Sequence, residues 1–259
     1  MNDVREVVLD VDALTKLFGG VCATKDVSFQ TYRGEIFGVI GPNGSGKTTL
    51  FNLITGTLPA NSGKVHFRGQ SINRLQTDEI ARLGLVRTFQ AATVFKQETV
   101  YENIRRGSMF GCIGKPGWFF RKGTVPAGQA KAKEAAEDLL EFSGLSSVAQ
   151  RLAGNLPYGQ QKMLGAVIAL AQRPLQLLMD EPAAGLNPAE TEEMGELIAQ
   201  IRAKRGIDVV LVEHDMRMVT SVCDRILALD YGRVIAVDVP DKIVSHPEVI
   251  EAYLGVDVE

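Results

Sequence analysis

A chain of 259 residues is long enough to bury a sizeable core, as one large α/β domain or two small ones. With 45% hydrophobic and 23% charged residues, 26 Gly and 10 Pro, it is neither disordered nor fibrous. Lys and Arg total 28 against 31 Asp and Glu, a formal net charge of −3, so no global positive field exists to hold a nucleic acid.

The opening, Met1 to Leu17, mixes acids with apolar residues and lacks the basic-then-apolar layout of a secretory signal. No run approaches the roughly 20 apolar residues needed to span a bilayer. A cytoplasmic protein is expected, with any membrane role exercised through a partner. Cys22, Cys112 and Cys223 are scattered and lack metal-ligand spacing, as expected of reduced thiols.

Val7 to Leu14 and Val27 to Thr31 alternate as half-buried strands do, and Glu35 to Ile40 is a short apolar run that reads as a buried strand ended by Gly41. Lys47 to Gly56 reads as a helix, and Lys64 to Phe67, bounded by Ser62-Gly63 and Gly69, as a short strand. Gly107 to Gly128 holds five glycines and two prolines beyond its first residue; so many breakers predict an irregular excursion. Helical spacing of Ala132, Ala135, Ala136, Leu139 and Leu140 predicts a helix over Gln129 to Phe142, and Gly159 to Gln172 predicts another. A strand follows at Leu175 to Met179, a helix at Pro188 to Arg205, and strands at Ile207 to Val212 and Arg225 to Leu229. Two short helices close the chain within Asp238 to Leu254, split at Ser245-His246-Pro247. Alternating strands and helices imply an α/β fold with a parallel sheet covered on both faces.

Gly41-Pro42-Asn43-Gly44-Ser45-Gly46-Lys47-Thr48 follows the buried strand and opens a helix, the setting that a phosphate-binding loop requires. Glycines there let backbone N–H groups converge on phosphate oxygens, while the helix N-terminus and the Lys47 ammonium neutralise charge. The Thr48 hydroxyl would meet magnesium, and Thr49 belongs to the same nucleotide-binding set. Leu175 to Glu181 is an apolar strand ending in two carboxylates. Asp180 would bind magnesium through water, and Glu181 would orient or deprotonate the attacking water. Alone, such a strand end is usually just a solvated acidic pair; the phosphate loop turns the reading toward ATP hydrolysis.

Asn155-Leu156-Pro157-Tyr158-Gly159-Gln160-Gln161-Lys162 resembles the Leu-Ser-Gly-Gly-Gln signature of ATP-binding cassette (ABC) proteins and stands shortly before the acidic strand, as in that family. The resemblance covers essentially the whole chain. It implies that Gln90, in Arg87-Thr88-Phe89-Gln90, is the Q-loop glutamine with a place beside catalysis and metal, and that His214 is the switch histidine. It further implies that Phe18 stacks on adenine and that Asn187 occupies the D-loop. Taken singly, Phe18 reads sooner as a core aromatic and Gln90 as a solvated strand end, and His214 could be a surface histidine like His66 and His246. Asn187, with Pro188 and Glu190, also fits a helix N-cap with a capping box. Six elements in family order decide between these readings.

The implied fold is a P-loop NTPase cassette. It has a mostly parallel, RecA-like sheet, an N-terminal antiparallel β subdomain, and an α-helical signature subdomain over about residues 91–172. All lie within a single domain, 1–259, that closes with C-terminal helices from about 238. Two cassettes would sandwich two ATP molecules head to tail, with Pro157, Tyr158, Gly159, Gln160 and Asn187 acting in trans. Two residues depart from the family pattern. Pro157 replaces the usual signature serine, so backbone N–H groups and the helix dipole are expected to substitute for its hydroxyl. Asn187 stands where aspartate is commoner.

Leu17-Phe18-Gly19-Gly20-Val21, Tyr158-Gly159-Gln160-Gln161, Ala183-Ala184-Gly185-Leu186-Asn187-Pro188, Glu213-His214-Asp215-Met216 and Ala252-Tyr253-Leu254-Gly255 resemble the ATP-binding subunits of branched-chain amino acid importers. The excursion at 107–128 does so too; its Trp118-Phe119-Phe120-Arg121-Lys122 reads as local packing or as a partner surface. Such a subunit implies MgATP, transmembrane permease subunits, a second ATPase subunit and an extracytoplasmic solute receptor. It works at the inner face of the membrane, reaches the bilayer only through the permease and binds no nucleic acid. Urea, amides or aromatic acids are alternative solutes. A soluble ABC ATPase acting on nucleic acid or ribosomes, and a nucleotide-binding module without turnover, are the alternatives of other classes.

Overall fold

The computed structural model describes residues 5–88, 94–113 and 124–254. Two sheets organise it. The antiparallel one is built on a long hairpin, β1 (Val7–Phe18) and β2 (Val21–Tyr32), closed by Gly19 and Gly20, with β4 (Ser62–Phe67) and β5 (Gln70–Ser71) added in the order β2-β1-β4-β5. Both hairpin strands outrun the segments whose alternation predicts them. Ala13 and Asp26 adopt left-handed φ of 48° and 49°, and the pairing shifts register between Val11 and Leu14. Such bulges break the period of two on which the sequence reading depends.

The second sheet has six strands in the order β10-β9-β3-β8-β7-β6. They are β3 (Ile36–Ile40), β6 (Leu85–Arg87), β7 (Gln176–Asp180), β8 (Asp208–Val212), β9 (Arg225–Asp230) and β10 (Arg233–Asp238). All neighbours run parallel except the edge pair of β9 and β10. Every residue of β3, β7 and β8 is buried. That is why these strands read as continuous apolar runs and not as alternations.

The two faces of this sheet feed separate cores. Phe37 and Val39 of β3 join Leu178, Val210 and the antiparallel sheet on one side, together with Leu50, Phe51 and Ile54 of α1 (Lys47–Ile54). Ile36 and Ile40 face Leu177, Met179 and the helices on the other. Those helices are α3 (Val100–Ile113), α4 (Thr124–Phe142), α5 (Tyr158–Leu170), α6 (Pro188–Arg205), α7 (Met216–Val222), α8 (Pro240–Val244) and α9 (Pro247–Leu254). A short α2 (Thr77–Arg82) precedes β6. The short closing helices α8 and α9 lie where the sequence puts them. By contrast β5, α2, α7 and β10 are not expected from the sequence, while α3 is expected only as part of the helical subdomain and β6 only as a strand end before Gln90; β5 and β6 are too brief for a period to show, and β10 is half-buried without alternation.

The expectation of an irregular excursion from Gly107 to Gly128 is wrong at both of its described ends. Helix α3 continues through Gly107 to Ile113, and α4 begins at Thr124; residues 114–123, with the Trp118 to Lys122 cluster, lie outside the described residues. Gly107 is a packing residue, not a breaker. A Cβ there would lie 2.8 Å from the Ile168 carbonyl oxygen and 3.0 Å from the Ala171 Cβ, so its bare Cα lets α3 press against α5. Helix propensity alone would make Gly107→Ala stabilising by about 1 kcal/mol. The close approach reverses the sign: urea unfolding should show a net loss of about 1–3 kcal/mol, and an unchanged or raised midpoint would contradict this packing.

Candidate nucleotide site

Strand register lines up the candidate residues. Val39 of β3 pairs with Val212 of β8, and Val212 pairs with Asp180 of β7, so β7 and β8 end level and β3 runs one residue further, to Ile40. The next residues continue the ladder: Glu181 N–H donates to the Val212 carbonyl at 2.9 Å and Glu213 N–H to the Val39 carbonyl at 3.3 Å. The chain therefore delivers the phosphate loop, the acidic pair and His214 to the same carboxyl edge. Gly41, Pro42, Asn43, Glu181 and His214, joined by Tyr253 of α9, line a single cleft.

Backbone geometry explains the loop composition. Gly46, the N-cap of α1, sits at φ 104°, and a Cβ there would fall 2.3 Å from the Ala23 carbonyl oxygen of β2. Only glycine satisfies both the conformation and the close approach. The loop is also held from the turn between β9 and β10, where Gly232 N–H donates to the Ser45 carbonyl at 2.9 Å. The Ser45 hydroxyl is buried with no hydrogen-bond partner among the described residues. Asn43, Gly44 and Thr48 are exposed along the loop and first helical turn, and Thr49 is half-buried.

Lysine and carboxylates meet here under low hydration. Lys47 is buried, and its ammonium donates to the carbonyls of Gly41 at 2.7 Å and Pro42 at 2.9 Å. Burial lowers its pKa, and the nearby Glu181 and Asp180 partly oppose that shift. Asp180 is 3% exposed and paired with the Arg87 guanidinium at 2.6 Å; Arg87 also donates to Asn52 and lies over the Phe51 ring, both on α1. Glu181 carries a left-handed φ of 47°, an unfavourable conformation for a side-chain-bearing residue at the end of a strand. The Lys162 ammonium of α5 donates to the Glu181 carbonyl at 3.0 Å and is itself depressed by burial, against the pull of Glu213, Glu181 and Asp180.

Glu213 has no exposed side-chain surface. It accepts Ala183 N–H at 2.7 Å and His214 N–H at 3.0 Å, tying the turn after β7 to the turn after β8, and lies 3.7 Å from the His214 Nδ1. Sequence reasoning missed Arg87, Lys162, Glu213 and Gly232 as members of the site. The first three stand within quoted motifs, and a buried charge in an apolar setting was the signal available; nothing local marks Gly232.

The remaining candidates fall as follows. Phe18 is 46% exposed at the hairpin tip, with the Lys16 ammonium 5.3 Å from its ring centroid, so it is not a core aromatic. Pro157 is the N-cap of α5, which starts without a side-chain cap. Tyr158 is half exposed, and its ring packs on Gly185; Gly159 lies against Glu190, whose carboxylate a Cβ would meet at 2.5 Å. The Gln160 Oε1 is buried without a partner among the described residues. Asn187 caps α6 as the sequence suggests, with its side chain accepting Glu190 N–H at 3.0 Å and Glu190 returning the bond at 3.0 Å. The signature and D-loop segments thus touch within one chain. Gln90 lies outside the described residues.

Removing the Arg87 charge strands Asp180. Arg87→Met should lower unfolding free energy by about 3–5 kcal/mol, read from urea denaturation. Adding Asp180→Asn to Arg87→Met should recover part of the loss, since the uncompensated charge is then gone; a strictly additive double mutant would show that the pair is not coupled.

Comparison with known proteins accords with this geometry. A model of the ABC transporter family matches residues 24–184, and one described as branched-chain amino acid ATP-binding cassette transporter matches residues 233–259. The high-affinity branched-chain amino acid transport ATP-binding protein LivG of Escherichia coli is 40% identical, covering 97% of this chain and 99% of LivG. BraF of Pseudomonas aeruginosa, of the same description, is 39% identical, covering 96% and 98%. The crystal structure of the ADP conformation of MJ1267, an ATP-binding cassette of an ABC transporter, superposes with a TM-score of 0.83 at 33% identity, covering 96% and 99%. No helix among the described residues is long and apolar enough to cross a membrane. The chain belongs to the ATP-binding cassettes of ABC transporters, the family that hydrolyses ATP to power transport.

Proposed function

We propose that this chain is the ATP-hydrolysing subunit of an importer for branched-chain amino acids, one of two cassettes at the inner face of the membrane beneath permease subunits fed by an extracytoplasmic receptor. The observation that carries the reading is near-full-length identity to LivG and BraF, reinforced by the match at residues 233–259. The whole chain is one cassette, with residues of about 91–172 as its helical subdomain and those from about 238 as its closing helices.

The loop fits a polyphosphate: exposed backbone, an orphaned buried Ser45 hydroxyl and a buried ammonium converge there. Gly41 to Thr49 hold the phosphates, and exposed Phe18 offers its ring to adenine. Thr48 and Asp180, with Gln90, suit magnesium, which takes few protein oxygens and completes its shell from phosphates and water. When bound, the metal would supply positive charge to offset that of the phosphates. Lys47 stabilises the developing negative charge, Glu181 orients or deprotonates water, and His214 contacts the terminal phosphate. From a second cassette, Pro157, Tyr158, Gly159, Gln160 and Asn187 close the site. The uncapped start of α5 supports a backbone anion contact there in place of the serine hydroxyl.

Glu181→Gln should retain MgATP affinity by calorimetry while hydrolysis falls about 10²- to 10⁴-fold. Turnover at the wild-type rate would remove Glu181 from this role. The solute is tested by uptake of labelled leucine, isoleucine and valine in cells carrying or lacking the chain, where equal uptake would overturn the assignment.

A further inference from the structure

Tyr253 lies almost at the opposite end of the sequence from the phosphate loop, yet its hydroxyl accepts the Gly41 N–H at 2.8 Å. Gly41 is the first residue beyond β3, so the phenol satisfies the first backbone donor after the strand ends. The same residue has little freedom to move. A Cβ on Gly41 would overlap the Leu229 carbonyl oxygen at 2.2 Å, which places β9 directly against it. On its other side, the Gly41 carbonyl accepts the Lys47 ammonium at 2.7 Å. One glycine thus carries Tyr253 on its N–H and Lys47 on its C=O.

The tyrosine is delivered by an anchored element. Val249, four residues earlier and therefore on the same face of α9, is 3% exposed in the larger core, alongside Ile243 of α8. Tyr253 also lines the cleft that contains Asn43, Glu181 and His214. Burial raises its pKa despite the Gly41 hydrogen bond, so the phenol stays protonated at neutral pH.

We propose that Tyr253 is a positioning residue of the ATPase site, pinning Gly41 so that the C-terminal helix sets where the phosphate loop holds Lys47 relative to Glu181 and His214. The inference rests on reading that loop as the nucleotide site. Ground-state affinity is spread over many loop N–H groups, whereas the transition state depends on sub-ångström alignment of Lys47 and water. The cost of losing the hydroxyl therefore falls on turnover.

The test uses the full chain and Tyr253→Phe, which keeps the ring and deletes only the hydroxyl, with Tyr253→Leu as a second variant lacking the wall of the cleft. In Tyr253→Phe, kcat should fall about 3- to 10-fold, the worth of one hydrogen bond. KM for MgATP should stay within about twofold, and the thermal midpoint should drop by less than about 2 °C. Tyr253→Leu should lose more turnover than Tyr253→Phe. A wild-type kcat in Tyr253→Phe, a change in KM alone, or a loss of kcat that merely tracks a falling midpoint would each overturn the proposal. An inactive wild-type chain would overturn the ATPase reading and this inference with it, whereas an active wild type matched by Tyr253→Phe overturns only the inference.

Discussion

The site depends on the mutual register of three parallel strands. Each of β3, β8 and β7 is only five residues long, and a slip of one residue in any of them would turn its buried side chains to the opposite core. Apolar packing on both faces therefore fixes register. Register in turn fixes where the chain leaves the sheet: Ile40, Glu213 and Glu181 follow the paired Val39, Val212 and Asp180, and Gly41 lies one residue beyond. No side chain of the site has to be steered there by a loop of its own choosing.

That convergence creates an electrostatic problem, because Asp180 and Glu213 are buried at the same edge and Glu181 stands beside them. The fold answers with cations drawn from three different elements: Arg87 from the end of β6, Lys47 from α1 and Lys162 from α5. Burial works against the charge on both lysines, and the carboxylates oppose that depression. The carboxylates thus help to keep both lysines charged. A consequence is that the acidic strand end, the phosphate-loop helix and the signature helix share one charge cluster, and displacement of one element is felt by the others.

What the sequence made legible follows from locality. The phosphate loop, the acidic strand end and the cap of α6 are each specified by residues within a few positions of one another, and all appear where the residue types require. The departures arise where meaning is non-local. Gly107 has the appearance of a helix breaker until Ile168 and Ala171 are brought against it. The bulges at Ala13 and Asp26 interrupt an alternation that the hairpin nevertheless continues. Gly232 and Tyr253 support the phosphate loop from far along the chain, Tyr253 across 212 positions, and no local spacing announces either contact.

The loop's supports also explain why the chain folds back on itself so fully. Residues 41–48 are gripped by Ala23 of β2 from before them, and by Leu229, Gly232 and Tyr253 from the end of the chain. A left-handed glycine loop has little regular hydrogen bonding of its own, so its shape must be imposed from outside. Contacts from both chain ends impose it. The family match at residues 24–184 includes the loop and the acidic pair, whereas His214, Leu229 and Gly232 lie beyond it and Tyr253 falls in the second match, 233–259. The nucleotide site is therefore a property of the whole fold and not of its most recognisable segment.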